Sequence, residues 1–138
     1  MKTFAFLSLA ATALAQSVSV SLPAAQSNQI QAGSDLVVQV IRPNSLTGSE
    51  EIGVAIGIRN CPTLPCAPAE SVLGTVLYNG PYDPEYHEVG NQPYENFTVT
   101  VPETLQTGRA IIGVAHATLI GAGPWPFLEV VNVTATVV

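Results

Sequence analysis

Basic residues are nearly missing from this sequence. Lys2 is the only lysine, and Arg42, Arg59 and Arg109 are the only arginines, against ten carboxylates. So acidic a chain repels phosphate backbones and anionic lipid, which argues against nucleic acid and membrane insertion. Catalytic signatures are missing as well. No serine sits in a nucleophile elbow, no thiol is left over once two cysteines pair, and no zinc-protease helix motif occurs. The sequence therefore assigns no catalytic residue, no cofactor and no metal, and it reads as a non-enzyme. Helical periodicity never runs long enough to define a helix.

The first residues read as a targeting segment. Lys2 provides a basic start, residues 4–14 an apolar core too short to span a bilayer, and Ala13-Leu14-Ala15 an Ala-x-Ala cleavage site. Residues 1–15 are expected to be a signal peptide and residues 16–138 a single domain beginning at Gln16. Losing Lys2 leaves three arginines against ten carboxylates, 3 − 10 = −7. The closing residues lack the polar spacer and apolar tail of a lipid-anchor signal, so a freely secreted, extracellular protein is expected.

Residues 107–127 organise the rest. They read as a long apolar strand at 110–119, a Gly/Pro connection at 121–126 and entry into a last strand. A strand apolar on both sides belongs at the centre of a sheet with each face covered. His116 lies in its middle, where a hydrogen-bonded core histidine is a better reading than a catalytic base. Around it, Val18, Val20 and Leu22 alternate with serines, and further strands are expected at 35–41, 52–59, 72–78, 96–101 and 127–138. In the third of these, Ile52, Val54, Ile56 and Ile58 face one way and Gly53, Ala55 and Gly57 the other, so another backbone should pack close to the small face. About seven short alternating strands separated by turn signals predict an all-β sandwich of the immunoglobulin or fibronectin-III type. The acidic pair Glu50-Glu51 is expected in a solvated turn.

Cys61 and Cys66, in CPTLPC, are expected to form a disulfide in a secreted chain. Four residues between them argue against a redox motif. Two sequons, Asn96-Phe97-Thr98 and Asn132-Val133-Thr134, fall on strands whose period of two places both asparagines outside, as expected glycosylation sites.

The irregular segment 79–95 carries Tyr82, Tyr86 and Tyr94, with Tyr78 just before it and Asp83, Glu85, His87 and Glu88 within it. Loops of that length are often functional. Three readings stay open. Tyr82, Tyr86, His87 and Tyr94, with Trp125 of the 121–126 loop, form a binding surface, since rigid aromatics give contact area at low entropy cost. Alternatively the rings fold back as a lid on the core, or Asp83, Glu85 and His87, with His116, ligate a metal despite lacking a ligand-spacing pattern.

Several stretches resemble the necrosis-inducing secreted protein effector family of fungi. They are Leu22-Pro23, the run Ile30-Gln31-Ala32-Gly33-Ser34-Asp35, VAIGI at 54–58, VLGTVLYNGPY at 72–82, PYENFTVTVP at 93–102 and LIGAGPWPFLEVVN at 119–132. The resemblance spans the expected mature chain. It implies a secreted β-sandwich, without catalytic motif, that acts on host immunity in the apoplast by binding receptor-like kinases and their cytoplasmic partner kinases, or that induces plant cell death. Relatives also occur in fungi without a host. A reading of a different class is a cell-wall or carbohydrate-binding module, with Tyr82, Tyr86, Tyr94 and Trp125 as a stacking platform for a glycan.

Overall fold

Alternating β-branched and polar residues build strands here with little exception, because each strand has one face to bury and one to leave in water. The computed structural model describes residues 17–23, 28–45 and 48–138. The expected signal peptide and the expected new terminus at Gln16 lie outside the described residues.

Among the described residues, eight strands form two sheets: β1 (Ser19–Ser21), β2 (Gln29–Ile30), β3 (Asp35–Ile41), β4 (Ser49–Asn60), β5 (Thr75–Gly80), β6 (Tyr94–Thr100), β7 (Gly108–Ile120) and β8 (Trp125–Val137). One sheet has the order β1-β3-β6, the other β2-β8-β7-β4-β5. All pairings are antiparallel except that of β2, which runs parallel to the end of β8. The sandwich is thus the all-β fold the alternation predicts, with one strand more than the roughly seven expected. The addition is β2, whose two residues are too few to show a period; it places Ile30 in the core at 5 % exposure.

The inner faces carry Leu36, Val38, Val40, Phe97 and Val99 on the smaller sheet and Val54, Ile56, Ile58, Ile112, Val114 and Val137 on the larger. Phe97 and Val99 face in while Asn96, Thr98 and Thr100 face out, and Asn132, Thr134 and Thr136 are exposed on β8, as period two requires.

Of the small residues of β4, Gly57 is covered as expected, whereas Gly53 and Ala55 are only half-buried. Residues 61–74 cross the outer face of the larger sheet as a strap, burying Ala69 and Cys61. A Cβ on Gly57 would stand 2.6 Å from the Leu73 carbonyl oxygen, and one on Gly113 would stand 2.9 Å from Leu73 Cδ1. Arg59 fastens the strap: its Nε donates to the Val72 carbonyl at 2.9 Å and its Nη2 to the Ala67 carbonyl. The strand expected at 72–78 therefore starts only at Thr75, since Gly74, at φ +89°, turns the strap into β5.

Cys61 and Cys66 are disulfide-bonded at the head of this strap. Closing so short a loop constrains the unfolded chain by about 2 kcal/mol. The Cys61→Ser/Cys66→Ser variant is expected to lose no more than about 2–3 kcal/mol in a denaturant titration and to keep its fold; loss of cooperative unfolding would show the bridge to be indispensable.

Candidate functional site

The longest ladder in the molecule is the β7–β8 hairpin, in which Ile120 pairs with Trp125 and the register places His116 directly opposite Glu129. Both point inward, in step with Ile112 and Val114 on β7 and Val131 and Val133 on β8. A third polar residue joins them from β4. There the register slips between Glu51 and Gly53, so that Glu51 pairs with Thr118 and Val54 with His116. The extra residue, Ile52, is pushed outward to 57 % exposure, and Glu51 turns in. A bulge reverses the alternation on one side of itself and re-aims side chains. This corrects two expectations: Ile52 is not on the buried face of β4, and Glu51 is not in a solvated turn.

The result is a buried charge cluster between the sheets. His116, 1 % exposed, donates from Nε2 to Glu51 Oε2 at 2.5 Å and from Nδ1 to Glu129 Oε1 at 3.0 Å. Glu129 Oε1 also accepts from the Val18 backbone N–H at 2.7 Å, which ties the first described residues to the larger sheet. Arg42, just past β3, brings its guanidinium to 3.9 Å from Glu51 Oε1. The Tyr82 ring stands edge-on to the imidazole, centroids 5.5 Å apart, and its hydroxyl donates to the Val40 carbonyl at 3.1 Å.

Burial alone would push the His116 pKa down. The hydrogen bonds to Glu129 and Glu51, with their charges, outweigh that and raise it from 6.5 to about 9. Histidine is therefore a cation at neutral pH, and two carboxylates face two cations. For Glu129, burial raises the pKa, but the bonds from His116, Ser17 and Val18 overcome it and leave it lowered. Tyr82 is raised by burial first and by the Glu51 charge next, so it stays a neutral donor.

Above this cluster three loop segments meet at one end of the sandwich: residues 42–45 with 48, residues 81–93 and residues 121–124. Gly121 N–H donates to the Gly48 carbonyl at 2.9 Å, and Tyr86 Oη donates to Asn44 Oδ1 at 2.9 Å, so the first loop braces both others. The 81–93 segment is anchored at each end. Tyr78 packs on Phe97 with centroids 4.6 Å apart and donates its hydroxyl to the Pro81 carbonyl at 2.6 Å; a bridge of two backbone hydrogen bonds joins Glu85 to Tyr94.

The expected site residues separate. Tyr82 is 4 % exposed and belongs to the core, so its ring is not offered at the surface; its position between Phe97 and His116 explains why. Tyr86 is 65 % exposed and Trp125 54 %, the latter packed on Phe127 with centroids 5.7 Å apart. His87 and Tyr94 stack face to face, centroids 3.9 Å apart. The loop is thus part lid, through Tyr82, and part open surface. Among the described residues no group of three or more His, Cys, Asp or Glu side chains is placed to hold a metal ion, and both nitrogens of His116 are taken by carboxylates.

Sequence reading missed one surface feature. Ile52 and Leu128, the latter 71 % exposed, flank a shallow groove floored by Gly53, Ala55, Ala115 and Ala117 on the outer face of the larger sheet. The groove reaches the same loop end, since Pro81, the first residue of the 81–93 segment, also lines it.

Compared with families of known proteins, residues 13–136 match the family described as the Nis1 family. Compared with curated proteins, the chain has no match.

Proposed function

The chain belongs to the Nis1 family, an effector-like family of fungi, and from that premise we propose that it is a secreted interaction protein acting by binding rather than by catalysis. Its partner is a plant receptor-like kinase or the cytoplasmic kinase that such a receptor works with, and the outcome is suppressed host immunity or induced cell death. The observation that supports this most is the loop end itself. Two large aromatics stand exposed there, Tyr86 on a loop fastened by backbone and side-chain hydrogen bonds and Trp125 as the first residue of β8, paired with Ile120. Exposed rings held in place lose little entropy on binding, the property of interface anchors. The apolar groove beside Ile52 and Leu128 extends that surface, and exposed apolar area of this kind marks interaction sites. The one histidine of the core is unsuited to general acid–base work, being enclosed and bonded at both nitrogens.

A polysaccharide-binding module would use the same rings as a sugar platform, so the test sets the two against each other. Secreted protein is mixed with insoluble cell-wall polysaccharide and, separately, with immobilised receptor-like kinase domains. Retention on a kinase domain with the polysaccharide supernatant undepleted is expected. Co-sedimentation with polysaccharide and no kinase binding would overturn the proposal in favour of the wall module.

A further inference from the structure

Asn96 and Asn132 carry equivalent sequons, yet their surroundings differ. Asn96 lies on the exposed face of β6, the edge strand of the smaller sheet. Its Oδ1 accepts a hydrogen bond from Gln39 Nε2 at 3.1 Å, and Gln39 is its partner across the β3–β6 ladder. The amide oxygen is thereby turned toward β3. The amide nitrogen, where an N-linked glycan attaches, is turned the other way, toward the edge along which residues 83–87 run. On that side Asn96 lines a cleft of about 340 Å³ together with Asp83, Glu85, His87, Tyr94 and Glu95. That volume is at the small end of ligand sites, which run from about 300 to 1,000 Å³. Tyr94 precedes Asn96 by two residues on the strand, so its ring projects from the same face, and the His87 imidazole is stacked parallel to it at 13°.

We propose that the Asn96 glycan docks onto its own protein, its first N-acetylglucosamine lying against the His87–Tyr94 stack in this cleft. A pyranose has one face of C–H groups that suits an aromatic surface, and equatorial hydroxyls that donate to carboxylates. Asp83, Glu85 and Glu95 supply those acceptors around the rings, although Glu95 Oε2 already accepts from the Asp83 N–H at 2.6 Å. Attachment makes docking intramolecular, so weak stacking suffices. The glycan then covers His87 and Tyr94 and leaves Tyr86 and Trp125 as the open aromatics of the loop end.

The test uses full-length chain secreted from yeast as wild type, Asn96→Gln, Asn132→Gln, His87→Ala and Asn96→Gln/His87→Ala, with occupancy read by mass spectrometry. His87 is exposed, so its removal leaves the core intact. Asn96→Gln is expected to lower the melting temperature by about 3 °C. The same change made in the His87→Ala background is expected to shift it by less than about 1 °C, and Asn132→Gln likewise. Trimming the wild-type glycan to a single N-acetylglucosamine should preserve the stability, and NMR should show contacts between that sugar and the Tyr94 ring. An unoccupied Asn96, or an equal fall with and without His87, would overturn the proposal.

Discussion

Replacing His116 with leucine is expected to destabilise the domain by about 3–5 kcal/mol, the cost of leaving buried carboxylates without their cation. Glu51 and Glu129 are only 8 % and 11 % exposed in their side chains, so water cannot take over the role of the imidazolium. The pH dependence distinguishes this from ordinary cavity formation. His116 is raised from 6.5 to about 9 in the folded protein, so its contribution is complete below pH 6.5 and is lost as pH rises through about 9. At about 1.4 kcal/mol per unit, the full loss approaches about 3 kcal/mol. Glu129 is lowered from 4.5, so its contribution is present above pH 4.5 and fades as pH falls through its folded value. The two together place the greatest stability between about pH 4.5 and 6.5. Urea titrations across pH 4–10 check this. The wild type should weaken from pH 6.5 to 9.5, and His116→Leu should lack that slope. A wild-type curve flat between pH 6.5 and 9.5 would show that the imidazole is neutral in the core.

Gly57→Ala is expected to cost about 3 kcal/mol, at the upper end for overpacking. The added carbon would stand 2.6 Å from the Leu73 carbonyl oxygen and 2.7 Å from Leu73 Cγ, so the strap must lift. It cannot lift freely, because Arg59 holds it at two carbonyls and the Cys61–Cys66 bridge fixes its start. Gly123→Ala is the control: nothing lies within 4 Å of its new carbon, and a change below about 0.5 kcal/mol is expected. Limited proteolysis of the Gly57→Ala protein should open first within residues 62–72. Equal stability of the two variants would mean that the strap does not press on β4.

Much of this architecture was legible because strands advertise themselves. The range 35–41 coincides with β3, and Gly57 on the small face of β4 does sit under another segment. The His116–Glu129 pair could have been read as well. The Gly/Pro turn at 121–124 sets the hairpin register, and both residues share the inward parity of their valine neighbours. Glu51 could not. Its burial depends on a one-residue bulge at Ile52, and alternation read across a bulge assigns the wrong face to everything beyond it. Tyr82 was hidden for another reason: irregular segments have no period, so nothing in the sequence separates a tyrosine that folds inward from Tyr86, which remains exposed.

Recognition is proposed to reside in the exposed rings at the braced loop end, and paired measurements on Tyr86→Ala/Trp125→Ala decide whether it does. Both rings are more than half exposed, so a melting temperature within about 3 °C of wild type and at least tenfold weaker binding to the proposed kinase partner are expected. A melting temperature lowered by about 10 °C or more, with binding lost only in step with unfolding, would contradict it and make these rings part of the lid.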